Sequence, residues 1–248
     1  MKTILELKNI SHSYHTLEGE TSALSHLSLT MQKGEFISIV GPSGCGKSTL
    51  LSLISGLMVP EEGTIELHGK LVGYMLQKDH LLEWRTIYKN IILGLEINHR
   101  ITAETKAKVH DYLNQYGLAD FANAKPSELS GGMRQRAALI RTLILEPDLL
   151  LLDEPFSALD YQTRLTVADD IGQIIKKEKR SAILVTHDLS EAISLGDRVI
   201  ILSKRPATIK RTLPLTFDLE EDTPLHRRNA PEFKNYFNTV WKELNEHE

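Results

Sequence analysis

The sequence is poor in several features that mark specialised classes of protein. Its single cysteine, Cys45, cannot form an intrachain disulfide, so a disulfide-stapled scaffold is excluded. No apolar run approaches the roughly 18 residues that a membrane-spanning helix needs; the run 149–152, for example, is closed by Asp153. Basic residues are not in excess, since 29 Lys and Arg stand against 33 Asp and Glu and the net charge is -4. We therefore expect no nucleic-acid partner.

The amino-terminal segment also lacks the continuous apolar stretch of a secretory signal. Together with the scarcity of cysteine, this predicts a cytoplasmic protein. Apolar residues make up 41% of the 248 residues and charged residues 25%, which is ordinary globular usage. The chain should therefore bury enough apolar surface to fold without disulfide or metal staples.

Hydrophobic patterning predicts an α/β fold. Apolar runs typical of buried parallel strands alternate with segments whose apolar residues recur at helical spacing. Strands are expected at 4–7, 27–31, 36–40, 149–153, 183–186 and 198–202. Helices are expected after residue 49, across 87–144 with breaks at Gly94, Gly117 and Pro126, at about 160–179, and at 232–244.

A glycine-rich loop follows the strand 36–40. Residues 41–48 match G-x-x-x-x-G-K-S, and the strand before and helix after are what a phosphate-binding loop requires. In such a loop the backbone N–H groups approach the phosphates, Lys47 reaches the β and γ oxygens and Ser48 holds magnesium. A glycine turn that only caps a helix does not explain the lysine. The residues expected to bind the nucleotide here are Gly41, Pro42, Ser43, Gly44, Cys45, Gly46, Lys47, Ser48 and Thr49.

Two carboxylates close the apolar strand 149–153. Asp153 ends the strand and Glu154 follows it, which predicts that both lie at the carboxyl edge of a parallel sheet, where ligands bind. Asp153 would hold magnesium through water, and Glu154 would orient or deprotonate a water that attacks the γ-phosphate. Alone, the pair could be solvated charge at a strand end, but the glycine loop favours the catalytic interpretation.

A serine and two glycines open a helix that is expected to run to about residue 145. Serine is a preferred N-cap residue, so one explanation is that Ser130 only caps this helix. The other is a second anion site, in which the Ser130 hydroxyl, the N–H groups of Gly131 and Gly132 and the helix dipole face a phosphate.

Residues 129–132, L-S-G-G, resemble the signature of the ATP-binding subunits of ABC transporters, and the other motifs follow that family's order. The resemblance covers nearly the whole chain and implies a single cassette over 1–248. It implies an α/β fold with a P-loop NTPase (RecA-like) core, an antiparallel β subdomain and an inserted helical subdomain at about 87–145. The segment 206–248 is then a C-terminal extension of uncertain structure. ATP and Mg2+ are the implied cofactors, and the implied activity is ATP hydrolysis coupled to transport.

The resemblance also assigns residues that carry little signal alone. Tyr14 is implied to stack on adenine, although it could be ordinary strand surface. Asp160 lies in a loop that crosses the dimer interface in the family, and is otherwise a helix N-cap. Met133 departs from the family, which often has glutamine there, so a contact by that side chain is not implied.

Two further residues complete the implied catalytic centre. Gln77 resembles the glutamine that reaches magnesium and the attacking water, although a lone glutamine is usually polar surface. His187 resembles the histidine that contacts the γ-phosphate, which a histidine at a strand end would not suggest by itself. The implied catalytic set is Glu154, His187 and Gln77, and the implied metal set is Ser48, Gln77 and Asp153.

The resemblance names partners as well. Two cassettes bind ATP head to tail in the family, so a second copy of the chain is implied. Residues 81–86, L-L-E-W-R-T, resemble the L-L-P-W-R-T of importers for nitrate, taurine and other sulfonates, and thiamine-precursor pyrimidines, with Glu83 in place of proline. This implies membrane permease subunits that dock near Leu81, Leu82 and Trp84, and an extracytoplasmic solute-binding protein. It also implies a peripheral position on the cytoplasmic face of the cell (inner) membrane.

Some alternatives stay open at this point. The chain could serve an exporter with separate membrane subunits, or be a nucleotide-dependent dimerising module without transport. Trp84 could be a core residue of the helical region instead of an interface residue. Cys45, at a helix N-terminus beside Lys47, is expected to have a lowered thiol pKa and to be reactive, unless it only fills space in a tight loop.

Overall fold

The computed structural model describes residues 2–17, 19–69 and 71–245. Nine strands are assigned within these residues. They are β1 (Thr3–Thr16), β2 (Gly19–Gln32), β3 (Phe36–Val40), β4 (Glu62–Leu67), β5 (Val72–Met75), β6 (Leu149–Asp153), β7 (Ser181–Val185), β8 (Arg198–Leu202) and β9 (Ile209–Pro214).

Nine α-helices accompany the strands in the same described residues. They are α1 (Lys47–Ile54), α2 (Ile87–Ile91), α3 (Leu93–Ile97), α4 (Ala103–Gln115), α5 (Gly131–Leu143), α6 (Tyr161–Lys177), α7 (Leu189–Leu195), α8 (Pro224–Asn229) and α9 (Pro231–Asn245). None of the helices in the described ranges is both long enough and apolar enough to cross a membrane.

The strands form two sheets. A three-stranded antiparallel sheet has the order β2-β1-β4, and a six-stranded sheet has the order β5-β6-β7-β3-β8-β9. All neighbours in the larger sheet are parallel except β8 and β9. This mixed α/β architecture, with a separate antiparallel sheet and the helices α2 to α5 between β5 and β6, confirms the predicted fold class.

The central strands of the large sheet are buried on both faces. Every residue of β3, β6 and β7 is buried. One face packs on the helices α2, α4, α5 and α6, and the other on α1 and the antiparallel sheet. Because both faces are covered, these strands consist mostly of apolar residues, and for that reason the sequence predicted them well.

The antiparallel strands are much longer than their apolar centres. The predictions 4–7 and 27–31 fall inside β1 and β2, which each have 14 residues. Polar residues such as His15 and Glu20 pair across the outer part of this hairpin, where hydrophobicity gives no signal. The short exposed strand β4 was not predicted, for the same reason. The helix α7 was not predicted either, although most of its residues are buried.

Residues 206–245 pack around the end of the large sheet. Strand β9 pairs with β8, and α9 packs on β8 and α7 with Val240 fully buried. Helix α8 is held by Arg227, which donates to the carbonyl oxygen of Gly196 at 2.6 Å and to Asp222 at 2.8 Å. The predicted helix 232–244 corresponds to α9.

Candidate active site

The carboxyl ends of β6, β7 and β3 meet at one edge of the large sheet. The loop 41–46 leaves β3 and enters α1, Asp153 ends β6, and His187 lies two residues beyond the end of β7. Neighbouring parallel strands carry their following loops to the same edge, where α/β sheets bind ligands. The strand order therefore brings together motifs that are far apart in the sequence.

Glycine is required in the loop by backbone angle and by space. Gly44 and Gly46 have φ angles of 72° and 120°, in the region that side chains disfavour. A Cβ atom on Gly46 would lie 2.9 Å from Leu24 Cδ2 and 3.0 Å from the carbonyl oxygen of Ala23, both on β2. The antiparallel sheet thus packs directly against the loop.

Lys47 is held inside this loop. Its side chain is buried, and Nζ donates to the carbonyl oxygens of Gly41 at 2.8 Å and Pro42 at 3.0 Å. Both partners are neutral backbone groups. A phosphate oxygen would form a stronger, charge-assisted hydrogen bond with the same ammonium group.

Asp153 is buried beside the loop. Burial raises the pKa of its carboxyl group, and a hydrogen bond with the Ser48 side chain opposes that rise. Ser48, Asp153 and nearby Gln77 together offer hydroxyl, carboxylate and amide oxygens. Oxygen ligands of this kind are the ones that Mg2+ prefers, so the donor set fits that ion.

Glu154 is the point where the other predicted residues converge. Its Oε2 accepts a hydrogen bond from Gln77 Nε2 at 3.1 Å, and its Oε1 lies 3.3 Å from His187 Nδ1. Its own N–H donates to the carbonyl oxygen of Val185 at 2.8 Å, and its φ angle is 48°, in the left-handed region. This backbone conformation turns the chain sharply after β6 and places the carboxylate between Gln77 and His187.

One cavity of about 590 Å³ joins these groups. It is lined by the phosphate loop and by Tyr14, Gln77, Glu154 and His187. Tyr14 is partly exposed, and its hydroxyl group lies 2.9 Å from Thr49 Oγ1, which ties β1 to the start of α1. A volume of this size is within the range of small-molecule sites.

Arg205 also lines the cavity and was not predicted. It lies between β8 and β9, in a turn without any sequence motif. Gln135 is a second residue that sequence reasoning missed. From α5 it donates to the carbonyl oxygen of Glu154 at 3.1 Å and accepts from the N–H of Ala158 at 2.9 Å, which joins α5 to the loop after β6.

Seven predicted nucleotide-binding residues do not line this cavity: Gly41, Pro42 and Cys45 of the loop itself, and Ser130, Gly131, Gly132 and Asp160 outside the loop. Ser130 is the N-cap of α5 and accepts from the N–H of Met133 at 3.3 Å. Asp160 is the N-cap of α6 and accepts from the N–H of Thr163 at 3.1 Å. Both residues have the geometry of ordinary helix caps within one copy of the chain.

The prediction of a reactive Cys45 is wrong for this structure. The side chain is almost completely buried, and burial raises the pKa of the thiol above its ordinary value. The charge of Lys47 and a hydrogen bond to its backbone N–H act in the opposite direction but do not outweigh burial. Cys45 therefore fills space under the loop as a thiol.

The predicted docking segment divides into a buried part and an exposed part. Leu81 is 6% exposed within the core, so the prediction that it contributes to a docking surface is wrong. Leu82 is half-buried. Trp84 is 75% exposed, so the alternative that it is a core residue is wrong. Glu83, which stands where the importers have proline, forms an ion pair of 2.8 Å with Arg134 of α5.

A buried acid lies close to His187. Glu191 of α7 is 5% exposed, and burial raises the pKa of its carboxyl group from 4.5 to about 7, opposed by a hydrogen bond from Thr186. The folded state therefore binds this proton more tightly than the unfolded chain does. Its contribution to the free energy of unfolding is complete below pH 4.5 and is lost as the pH rises towards 7.

We expect Glu191→Gln to remove this pH dependence. Glutamine keeps the size of the side chain and the hydrogen bond from Thr186. The free energy of unfolding of the variant, relative to that of wild type, should therefore rise by about 3 kcal/mol between pH 4.5 and pH 8. Urea unfolding across this range measures the difference. Glu20→Gln, at an exposed position of β2, is the control and should show no such growth. Equal pH slopes for wild type and Glu191→Gln would contradict the assignment.

Comparison with known proteins identifies the family. The family profile described as ABC transporter matches residues 24–157. YtlC, an uncharacterized ABC transporter ATP-binding protein of Bacillus subtilis, is 44% identical over 250 residues, which cover 98% of this chain and 96% of that protein. The nitrate import ATP-binding protein NrtD of Synechocystis sp. is 38% identical over 247 residues, 95% of this chain and 93% of that protein.

A solved structure gives the same result. The ATP-binding cassette MJ0796, in a dimeric post-hydrolysis state bound to ADP and Pi, is 30% identical and superimposes with a TM-score of 0.79. The match covers 86% of this chain and 99% of that one. The chain therefore belongs to the ABC transporter family and contains the ATPase cassette of that family.

Proposed function

We propose that this chain is the ATP-hydrolysing subunit of an ABC importer and powers the uptake of a small solute through separate membrane subunits. The observation that carries the proposal is the cavity that joins the phosphate loop, Tyr14, Gln77, Glu154 and His187. These groups supply what phosphoryl transfer to water needs: a phosphate cradle, a base and polar groups that position the water.

The phosphate loop binds the triphosphate in this proposal. Backbone N–H groups of the loop and the N-terminus of α1 face the phosphates, and Lys47 exchanges its two carbonyl partners for phosphate oxygens. Thr49 adds a hydroxyl group at the base of the loop. The hydroxyl group of Tyr14 lies 2.9 Å from Thr49 Oγ1. The ring of Tyr14 is the surface on which adenine stacks.

Ser48 and Asp153 would hold Mg2+, with Gln77 as a further oxygen ligand. The ion would neutralise charge on the β and γ phosphate oxygens when bound. The burial of Asp153 supports this role, because a buried carboxylate with a raised pKa gains most from a nearby cation.

Glu154 is the general base for the attacking water. The water oxygen forms a bond with the γ-phosphorus, the bond from that phosphorus to the leaving oxygen of ADP breaks, and Glu154 accepts the water proton. Gln77 and His187 hold the carboxylate from two sides, at 3.1 Å and 3.3 Å. His187 is also placed to contact the γ-phosphate.

A second copy of the chain completes the site. Ser130, Gly131, Gly132 and Asp160 do not line the cavity of their own copy, yet Ser130 and both glycines begin a 13-residue helix whose N-terminus suits an anion. We propose that they face the phosphate loop of the partner in a two-fold, head-to-tail dimer. The dimeric state of the similar cassette MJ0796 supports this arrangement.

The exposed part of the docking segment binds the permease. Trp84 and the half-buried Leu82 offer an apolar contact with a charged rim, as interaction sites do. The likeness to a nitrate import protein supports import over export, and sulfonate, taurine, nitrate or pyrimidine-type solutes are the proposed cargo class. The complete system includes an extracytoplasmic solute-binding protein, and this chain lies on the cytoplasmic face of the membrane.

Trp84→Ala is expected to separate folding from docking. Because the side chain is 75% exposed, the melting temperature and the ATPase rate of the isolated chain should change little. Affinity for the permease subunits should fall about 30-fold, or ~2 kcal/mol, as for an interface hot spot, and transport should uncouple. Trp241→Ala, at the other tryptophan and 57% exposed on α9, is the matched control and should keep full affinity. A Trp84→Ala chain that binds the permease as well as wild type would rule out this docking site.

Reconstitution into vesicles tests the function as a whole. With the permease subunits that co-purify with the chain, ATP hydrolysis should be stimulated by a solute-binding protein added outside and accompanied by solute accumulation inside. Accumulation in the opposite direction would indicate an exporter. ATP-dependent dimerisation without any phosphate release would indicate a dimerising module.

A further inference from the structure

We infer that Arg205 is a nucleotide-positioning residue, which fixes the phosphate loop from outside and adds a positive charge for a nucleoside di- or triphosphate. This inference rests on the proposed function, because it assigns a further residue to the same cavity. Arg205 lines that cavity beside Gly44 and Lys47.

The guanidinium group of Arg205 contacts the phosphate loop at one atom, the carbonyl oxygen of Gly44. Its Nε and Nη2 both donate to the carbonyl oxygen of Gly44, at 3.0 Å and 2.6 Å. Gly44 has a left-handed backbone, so the loop makes one of its sharp turns there. Two hydrogen bonds from a planar group to one oxygen restrain the peptide that follows this turn.

The turn that carries Arg205 is itself anchored. Ala207 is fully buried, its N–H donates to the carbonyl oxygen of Ala23 at 2.9 Å, and its carbonyl oxygen accepts from the N–H of Ser25 at 3.1 Å. Ser203 and Thr208 close the turn with a backbone hydrogen bond of 3.0 Å. Ala23 also lines the nucleotide cavity. Arg205 therefore reaches the loop from a turn that is hydrogen-bonded to β2.

The charge of Arg205 is not cancelled by an acid. No ion pair joins it to a carboxylate in the residues 2–17, 19–69 and 71–245, whereas Arg198 is paired with Glu35 and Arg227 with Asp222. Its hydrogen-bond partner is a neutral carbonyl oxygen, so the full positive charge stays at the cavity wall. That charge attracts a polyanionic ligand.

The contact between Arg205 and Gly44 also offsets the partial negative charge of a carbonyl oxygen in the loop. A carbonyl oxygen carries partial negative charge, which opposes binding of phosphates unless a donor occupies it. Arg205 occupies the Gly44 oxygen, whereas Lys47 leaves those of Gly41 and Pro42 when it binds phosphate. We therefore expect Arg205 to act on the binding of both ATP and ADP, because both present phosphates to the loop.

The test compares Arg205→Gln with Lys204→Gln in MgATP and MgADP titrations. Lys204 is the adjacent exposed cation, so the two variants lose the same charge and only one loses the loop contact. Arg205→Gln should raise both dissociation constants about 10-fold and flatten their salt dependence between 50 and 200 mM, while Lys204→Gln should bind as wild type. Arg205→Lys keeps the charge without the two-donor fork and should bind about 3-fold more weakly than wild type.

The measurements separate the possible failures. KM for ATP should rise more than kcat falls in Arg205→Gln, whereas a general loss of structure would lower the melting temperature and kcat together. If wild type binds MgATP and both Arg205 variants bind it equally well, the inference is overturned and the proposed function stands. If wild type binds no MgATP, both are overturned. If Arg205→Gln does not fold, the 3-fold change in Arg205→Lys decides.

Discussion

Glu154→Gln is expected to reduce ATP hydrolysis by about 10²- to 10⁴-fold, the range for loss of a general base. Glutamine keeps the size of the side chain and an oxygen that can accept from Gln77, so nucleotide binding should survive. In the proposed dimer, ATP hydrolysis is the step that lets the two copies separate. Because the variant cannot complete this step, it should accumulate as an ATP-bound dimer. Phosphate release and gel filtration with MgATP measure the two effects.

Glu104→Gln provides the control for that experiment. Glu104 is an exposed acid in the first turn of α4, outside the nucleotide cavity, and its variant should hydrolyse ATP at the wild-type rate without a stable dimer. A Glu154→Gln variant that stays monomeric with ATP and turns over normally would remove Glu154 from the role of base.

Lys47→Ala is expected to lower the affinity for ATP by at least about 100-fold. Two charge-assisted hydrogen bonds to phosphate contribute roughly 3 kcal/mol together, which corresponds to that factor. ATP hydrolysis at cellular ATP concentrations should be lost as a consequence. Equilibrium dialysis or calorimetry with MgATP measures the affinity.

Lys177→Ala, at an exposed position on α6, is the matched lysine control and should bind ATP normally. The melting temperature of Lys47→Ala must also be compared with wild type, because the carbonyl oxygens of Gly41 and Pro42 lose their donor. Normal ATP affinity in a folded Lys47→Ala chain would contradict the assignment of the loop.

The parts of the site that were predictable lie in short, continuous motifs. Lys47 and Ser48 are fixed by one loop between a strand and a helix, and Asp153 and Glu154 follow one apolar strand, so local pattern is enough to place them at the sheet edge. Their separation along the chain did not matter, because parallel strands bring their ends to the same edge. Their chemical roles stay predictions.

Other residues needed the family resemblance or the coordinates. Gln77 and His187 are isolated polar residues, and only the resemblance singled them out. Arg205 belongs to no motif and reaches the loop through the pairing of its turn with β2, a contact between residues about 180 positions apart that no local pattern encodes.

Burial was the property that sequence reasoning judged least well. Leu81 and Trp84 are three residues apart in one apolar and charged stretch, yet Leu81 is 6% exposed and Trp84 is 75% exposed. A short loop has no helical or strand period from which to assign an inner face. Cys45 was misjudged for a related reason, since the helix N-terminus and Lys47 are visible in the sequence but the packing over the thiol is not.

In the proposed dimer, each ATP is bound between the phosphate loop of one copy and the signature residues Ser130, Gly131 and Gly132 of the other. Mixing two inactive variants, Lys47→Ala and Ser130→Arg, tests it most directly. In a head-to-tail dimer, one of the two sites in each mixed pair has both an intact Lys47 and an intact Ser130. A 1:1 mixture should therefore recover up to about a quarter of wild-type ATPase activity, because half of the dimers are mixed and each has one of two sites intact. A mixture that forms no ATP-dependent mixed dimer and hydrolyses no more ATP than the two variants separately would contradict the head-to-tail arrangement.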